Sequence, residues 1–194
     1  MRRRLARQLE LRFHPRGGKR KNAGRKPNGD KAGVSHLRRP QFARLLPVHV
    51  TLRMAGHVYN LRSRRAFSVV GRAIAVAAER FGVTIVQFSV QGNHVHLVVE
   101  APSTAAMSRA VQGFSIRVAK GLNRMMHRRG RVLADRYHAH ALRTPAEARN
   151  AIVYVRNNRR HHAGGSARDE YASEHAGVVL PEARTWLLRA RGDP

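Results

Sequence analysis

The stretch Gly92-Asn93-His94-Val95-His96-Leu97-Val98-Val99-Glu100 (GNHVHLVVE, residues 92–100) reads as a core β-strand that nevertheless carries two histidines. Side chains on a strand alternate between faces. His94 and His96 therefore share one face with Val98 and Glu100, while Val95, Leu97 and Val99 point the other way. Two imidazoles side by side on one face make half of a metal site or nothing in particular, and the rest of the chain has to decide. Working outward, Gly92-Asn93 suits a tight hairpin back to VTIVQFSVQ, residues 83–91, a second strand. Before it, SRRAFSVVGRAIAVAAERFG (63–82) places Phe67, Val70, Ile74, Ala77, Ala78 and Phe81 at helical spacing, with Gly82 as the expected C-terminal cap. Earlier still, in LLPVHVTLRMAG (45–56), Val48, Val50 and Leu52 alternate with His49, Thr51 and Arg53, which predicts a first strand.

Downstream, STAAMSRAVQGFSIRVAKGLNRMMHR (103–128) predicts a second helix, capped by Ser103 or Thr104, with Met107, Val111, Phe114, Val118 and Leu122 as its buried stripe. RVLADRYHAHALR (131–143) alternates again and suggests a last strand, with His138 and His140 two apart. TPAEARNAIVYVRNNRRHH opens with Thr144 as N-cap and Pro145 at the first helical position, so a third helix is expected over roughly residues 145–160. Trp186, Leu187 and Leu188 in the tail suggest a short docked helix. The order β-α-β-β-α-β plus a helix is the ferredoxin-like plan, an α+β fold with an antiparallel sheet and helices on one face. Such a sheet leaves its other face for a ligand or another element, and the third strand, with its two histidines, falls near the centre.

The chain has 194 residues, 42% of them hydrophobic, which suggests one modest core with tails. Lys and Arg number 38 against 11 acids, a formal net charge of +27. That excess repels itself in a compact fold, so it points to a polyanionic partner, and the preponderance of Arg, which grips phosphate bidentately, points to nucleic acid. Residues 1–44 hold 15 of the 38 basic residues and two acids, Glu10 and Asp30. Around GGKRKNAGRKP (17–27) this segment reads as a basic flexible arm, with Arg25 and Lys26 in a Gly-Arg-Lys-Pro unit like that of minor-groove arms. There is no cysteine, so any metal must be held by His, carboxylate, amide or water. No apolar run approaches the roughly 18 residues of a membrane span, and the first residues lack an apolar signal region. The expected location is the cytoplasm, in association with the nucleoid.

Two imidazoles need a third ligand. On the third helix Tyr154 and Asn158 are four apart and share a face. An amide oxygen suits a hard ion such as magnesium or manganese, and a phenol one turn away could attack phosphorus. His-hydrophobe-His on a central strand followed by Tyr-x-x-x-Asn on a helix resembles the HUH single-tyrosine nucleases, in particular the IS200-like and REP-associated tyrosine transposases. Their strand commonly reads Pro-Asn-His-Val-His-hydrophobic, against Gly92-Asn93-His94-Val95-His96-Leu97 here. Their helix commonly reads Tyr-Ile-x-x-Asn-Pro, against Tyr154-Val155-Arg156-Asn157-Asn158-Arg159. The resemblance spans about residues 45–162 and sets aside the arm and a tail over 163–194. It implies that His94, His96 and Asn158 hold a divalent metal, Mg or Mn. It implies that Tyr154 is the nucleophile, and that the substrate is single-stranded or hairpin DNA, cut and rejoined through a 5′-phosphotyrosine. It leaves monomer and homodimer both open. Arg159 stands where the family has proline, so the helix is expected to run on or Arg159 to contact phosphate.

Arg117, Lys120 and Arg124 on the second helix, with Arg156 and Arg159 on the third, are the expected DNA contacts of the body of the chain. His138 and His140 read as half-exposed strand histidines that could also flank a groove. Tyr137 is a rival nucleophile that lacks an amide one turn away. Glu100 reads as a strand-end residue or as a partner for an imidazole. The alternative function is a domesticated, non-cleaving nucleic-acid-binding module of the same fold. An RNA-binding module of this shape would show stacking aromatics on its central strands, where this chain carries histidines.

Overall fold

A computed structural model describes residues 41–163 and 169–189, the side chains of 159–163 excepted. The elements are β1 (Leu46–Arg53), α1 (Arg64–Ala77), β2 (Glu79–Arg80), β3 (Val83–Val90), β4 (His94–Ala101), α2 (Thr104–Met125), β5 (His138–Ala141), α3 (Pro145–Ala163) and α4 (Trp186–Arg189). The strands form one antiparallel sheet in the order β2-β3-β4-β1-β5, so β4 lies at its centre. The expected α+β, ferredoxin-like order is present, with the two-residue β2 added at one edge.

The two faces of the sheet follow from the alternation along β1 and β4. Val48, Val50 and Leu52 with Val95, Leu97 and Val99 pack on Val70 and Ile74 of α1 and on Met107, Val111, Phe114, Val118 and Leu122 of α2. Side chains of this size each contribute about 1.5–3 kcal/mol on full burial. Gly121 lets α1 and α2 meet, because a Cβ there would collide with Val69. On the opposite face, the one left for a ligand or another element, α3 and α4 cover part of the sheet, and Val98 joins Leu142, Ala148, Ala151, Val155, Leu187 and Leu188 in a smaller core.

β3 switches its alternation partway along. Ile85 pairs with Val99, but Gln87 pairs with Val98, so Val86 is an extra residue, a β-bulge. With regular pairing, Phe88 would lie opposite His96. The bulge instead keeps Phe88 opposite Leu97 in the core and puts Ser89 opposite His96.

The caps explain where the helices begin. Ser63 accepts from Ala66 N and Ser103 from Ala106 N, so Ser103 rather than Thr104 is the cap of α2. On α3, Thr144 Oγ1 accepts from Glu147 N (3.2 Å), while Glu147 Oε2 accepts from Thr144 N (3.0 Å) and Arg143 N (2.7 Å), a capping box. These bonds, led by the two backbone amides, hold the Glu147 carboxyl below its ordinary range. As expected where Arg159 replaces proline, α3 runs on to Ala163.

Three expectations are corrected. α1 ends at Ala77, and Gly82 does not cap it: Phe81 (φ 56°) and Gly82 (φ 71°) make the turn between β2 and β3. The last strand is confined to 138–141, with Leu133 in an isolated bridge to Met54. In α4, Leu187 and Leu188 dock while Trp186 stays 65% exposed.

A turn with both central residues at positive φ favours Asn-Gly, and a non-glycine side chain there costs about 1–2 kcal/mol. The guanidinium groups of Arg80 and Arg109 lie 5.1 and 5.9 Å from the Phe81 ring centre, a contribution of about 0.5 kcal/mol at an exposed site. Strain outweighs contact. Phe81→Asn should therefore raise stability by about 1 kcal/mol, read as a higher melting temperature; a fall would mean the ring contributes more than its backbone costs.

Candidate active site

Cross-strand pairing lays out the face of the sheet that α3 crosses. One row runs Ser89, His96, Thr51, His138; the next runs Gln87, Val98, His49, His140; His94 lies opposite Arg53. His96 sits in the middle of its row and is 4% exposed. His94 and His96 do share this face, with ring centres 4.7 Å apart and planes at 88°. His96 stacks on His49 at 5.3 Å and 23°. Its Nδ1 lies 3.1 Å from His49 Nε2 and 3.1 Å from Thr51 Oγ1, and His94 Nδ1 lies 2.7 Å from Asn93 Oδ1.

α3 brings Tyr154 to the same place. Its ring meets His96 edge-on at 5.2 Å and 90°, and His49 at 5.9 Å and 68°. The residue is 38% exposed, so the phenol stands at the rim of the cluster. One turn on, Asn158 is completely buried, and neither Oδ1 nor Nδ2 has a hydrogen-bond partner among the described residues. Burying an amide unpaired costs roughly 1–3 kcal/mol, so a group that used that oxygen would recover the loss. Among the described residues no three His, Asp or Glu side chains gather to hold a metal ion. A site built on His94 and His96 would therefore take a neutral donor, and the Asn158 amide is of that chemistry.

His49 was not singled out from the sequence. It lies on the polar side of the β1 alternation, but its place beside His96 depends on the strand register. Burial first, then the nearby His138 and His140, push its pKa from 6.5 down to about 4. The unfolded chain thus takes a proton near pH 6.5 that the folded chain refuses until about pH 4. This stability is full above pH 6.5 and is lost as pH falls to 4, at up to about 1.4 kcal/mol per pH unit. Urea midpoints at pH 7.5 and 5 should show the loss, and His49→Gln should flatten it; an unchanged slope in that variant would place the source elsewhere.

The remaining candidates separate. Tyr137 belongs to the other side of the sheet, packed on the main core with its hydroxyl 2.9 Å from Ser108 Oγ. His138 and His140, read as half-exposed, are exposed, and they flank Thr51 and His49; His140 Nε2 is 3.4 Å from Glu147. Glu100 serves neither imidazole: it is wholly buried and accepts from Arg184 N (2.7 Å), Thr185 N (2.7 Å) and Thr185 Oγ1 (2.6 Å), which anchors α4. Arg117 and Arg124 line a groove of about 740 Å³ with Arg64, Arg65 and Arg72 of α1, which the sequence reading did not pick out; Lys120 is exposed on α2. Arg156 is ion-paired to Glu174 at 2.6 Å. Arg25 and Lys26 lie outside the described residues, as does the side chain of Arg159.

The model of the IS200-like transposase family matches residues 48–170. The chain belongs to this family. No curated protein matches it. Among solved structures, this IS200-like transposase is similar in fold to the REP-associated tyrosine transposase bound to a REP hairpin. That match has a TM-score of 0.54 and 16% identity over 68% of this chain and 76% of the other. A transposase candidate from Deinococcus radiodurans R1 matches with a TM-score of 0.44 and 14% identity, over 71% of this chain and 99% of that one. Among the described residues of the transposase no helix is long and apolar enough to cross a membrane.

Proposed function

We propose that this transposase cleaves and rejoins single-stranded DNA with Tyr154 as nucleophile and a divalent metal, Mg or Mn, held by His94, His96 and Asn158. The observation that carries the reading is the Tyr154 ring set edge-on to His96, with the buried Asn158 amide, unpaired among the described residues, one turn away. A bound metal would supply Lewis-acid polarisation of a non-bridging phosphate oxygen. Tyr154 Oη, at the rim, attacks phosphorus. The bond from phosphorus to the 3′-oxygen breaks, the phenol proton passes to solvent and the departing 3′-oxygen takes one up. The product is a 5′-phosphotyrosine and a free 3′-hydroxyl, and reversal rejoins the strand without another energy source. The arginine groove between α1 and α2, on the opposite side of the sheet from the histidines, offers guanidinium groups to the phosphates of a hairpin stem. The REP-hairpin partner of the structural relative supports that substrate class.

The test is a labelled single-stranded hairpin DNA from the flanks of the gene, mixed with the protein and manganese or EDTA. An SDS-resistant protein–DNA adduct that needs manganese is the expected result. Binding without any adduct would favour the non-cleaving module. Deleting residues 1–44, with Arg25 and Lys26, should weaken DNA binding and flatten its salt dependence, because fewer phosphate contacts release fewer counterions. An equal salt slope would remove the arm from the interface.

A further inference from the structure

A neutral imidazole has one N–H and one lone pair, and only the lone-pair nitrogen can bind a metal. Which nitrogen that is depends on what the other one touches. In both candidate ligands Nδ1 makes a short polar contact. His94 Nδ1 is 2.7 Å from the side-chain oxygen of Asn93, and an amide oxygen can only accept, so His94 must carry its proton on Nδ1. His96 Nδ1 is held at 3.1 Å by both Thr51 Oγ1 and His49 Nε2. Either group can accept: the Thr51 hydroxyl has lone pairs, and His49 Nε2 has one once the His49 proton is on Nδ1.

The backbone fixes these partners. Thr51 is paired directly with His96 across β1 and β4, His49 lies two residues along β1 on the same face, and Asn93 adjoins His94 at the hairpin.

We infer that Asn93, Thr51 and His49 are positioning residues that hold His94 and His96 in the Nδ1–H form, so that the chain presents two Nε2 lone pairs before any metal arrives. The inference rests on the proposed reading of His94 and His96 as metal ligands. It adds that the pair is pre-set by three side chains from β1 and the β3–β4 hairpin. With the proton on Nδ1 in both rings, binding through Nε2 needs no proton shift between ring nitrogens.

The experiment uses the full chain labelled with nitrogen-15 histidine, free of metal, and reads ring tautomers from long-range nitrogen–proton NMR. His94→Gln and His96→Gln spectra assign the two signals among the 12 histidines. Both rings should be Nδ1–H; either one found as Nε2–H overturns the inference. Manganese affinity by calorimetry is the second readout. Asn93→Ala, and the double change Thr51→Val with His49→Leu, should each weaken it by about 10–100-fold, while His49→Gln, which keeps an acceptor, should restore most of the loss in the Thr51 background. Variants that melt like the parent yet bind manganese as tightly would overturn the positioning role. A parent chain that binds no manganese would instead remove the metal from the proposed function, and the tautomers would still decide the inference.

Discussion

Tyr154→Phe should abolish the covalent adduct, a loss of more than about 1,000-fold in cleavage, with hairpin affinity changed by no more than about twofold. The change deletes one oxygen and keeps the ring that stands against His96 and His49. Because the residue is 38% exposed at the rim of the cluster, the fold loses little, within about 0.5 kcal/mol for a surface site. Cleavage and binding therefore part company only if the oxygen is the nucleophile. An adduct that survives in the variant would transfer the role to another tyrosine. Tyr137 is poorly placed for it, since its hydroxyl bonds Ser108 on the far side of the sheet. A parallel fall in affinity and cleavage would mean that Tyr154 grips DNA rather than attacks it.

Glu100→Ala should cost about 3 kcal/mol, near 10 °C in melting temperature for a domain of this size. The carboxylate is completely buried and accepts two backbone amides and a hydroxyl at the start of α4. Removing it strands three donors in an apolar layer, where Leu187 and Leu188 pack on Val98 and Val155. Limited proteolysis should then cut near residue 184 first, because the tail loses its anchor before the sheet loses its core. Glu100→Gln keeps one acceptor and should fall between parent and Ala. An unchanged melting temperature in Glu100→Ala would show that α4 is held by Leu187 and Leu188 alone.

Local signals carried most of the fold. The Thr144–Glu147 capping box, the stripe from Met107 to Leu122 and the period of two in β1 each depend on neighbours in the chain, and each element is where that pattern puts it. The histidine pair and the Tyr154–Asn158 spacing were legible for the same reason. What was hidden depends on register and on long-range packing. His49 and Thr51 meet His96 only because β1 and β4 pair with Thr51 opposite His96. Glu100 anchors residues 84 and 85 positions further on, which no window of sequence exposes. The arginines of α1 join those of α2 only once the two helices cross at Gly121. The end of α1 was misplaced because Phe81 continues the helical spacing while its backbone turns the other way.

The extra residue at Val86 acts as a counter. Three residues stand between Ile85 and Ser89, against two between their partners Val99 and His96, and that surplus keeps core and chemistry in step along the rest of β3. Deleting Val86 would close the ladder into regular pairing, with Phe88 still opposite Leu97 and Ser89 still opposite His96. The bulge is therefore slack in the sheet: one residue can be lost between Ile85 and Phe88 without turning the face. Pairing that took Val86 into the ladder would instead turn Phe88 toward His96 and Ser89 into the core, without touching His94, His96, Tyr154 or Asn158.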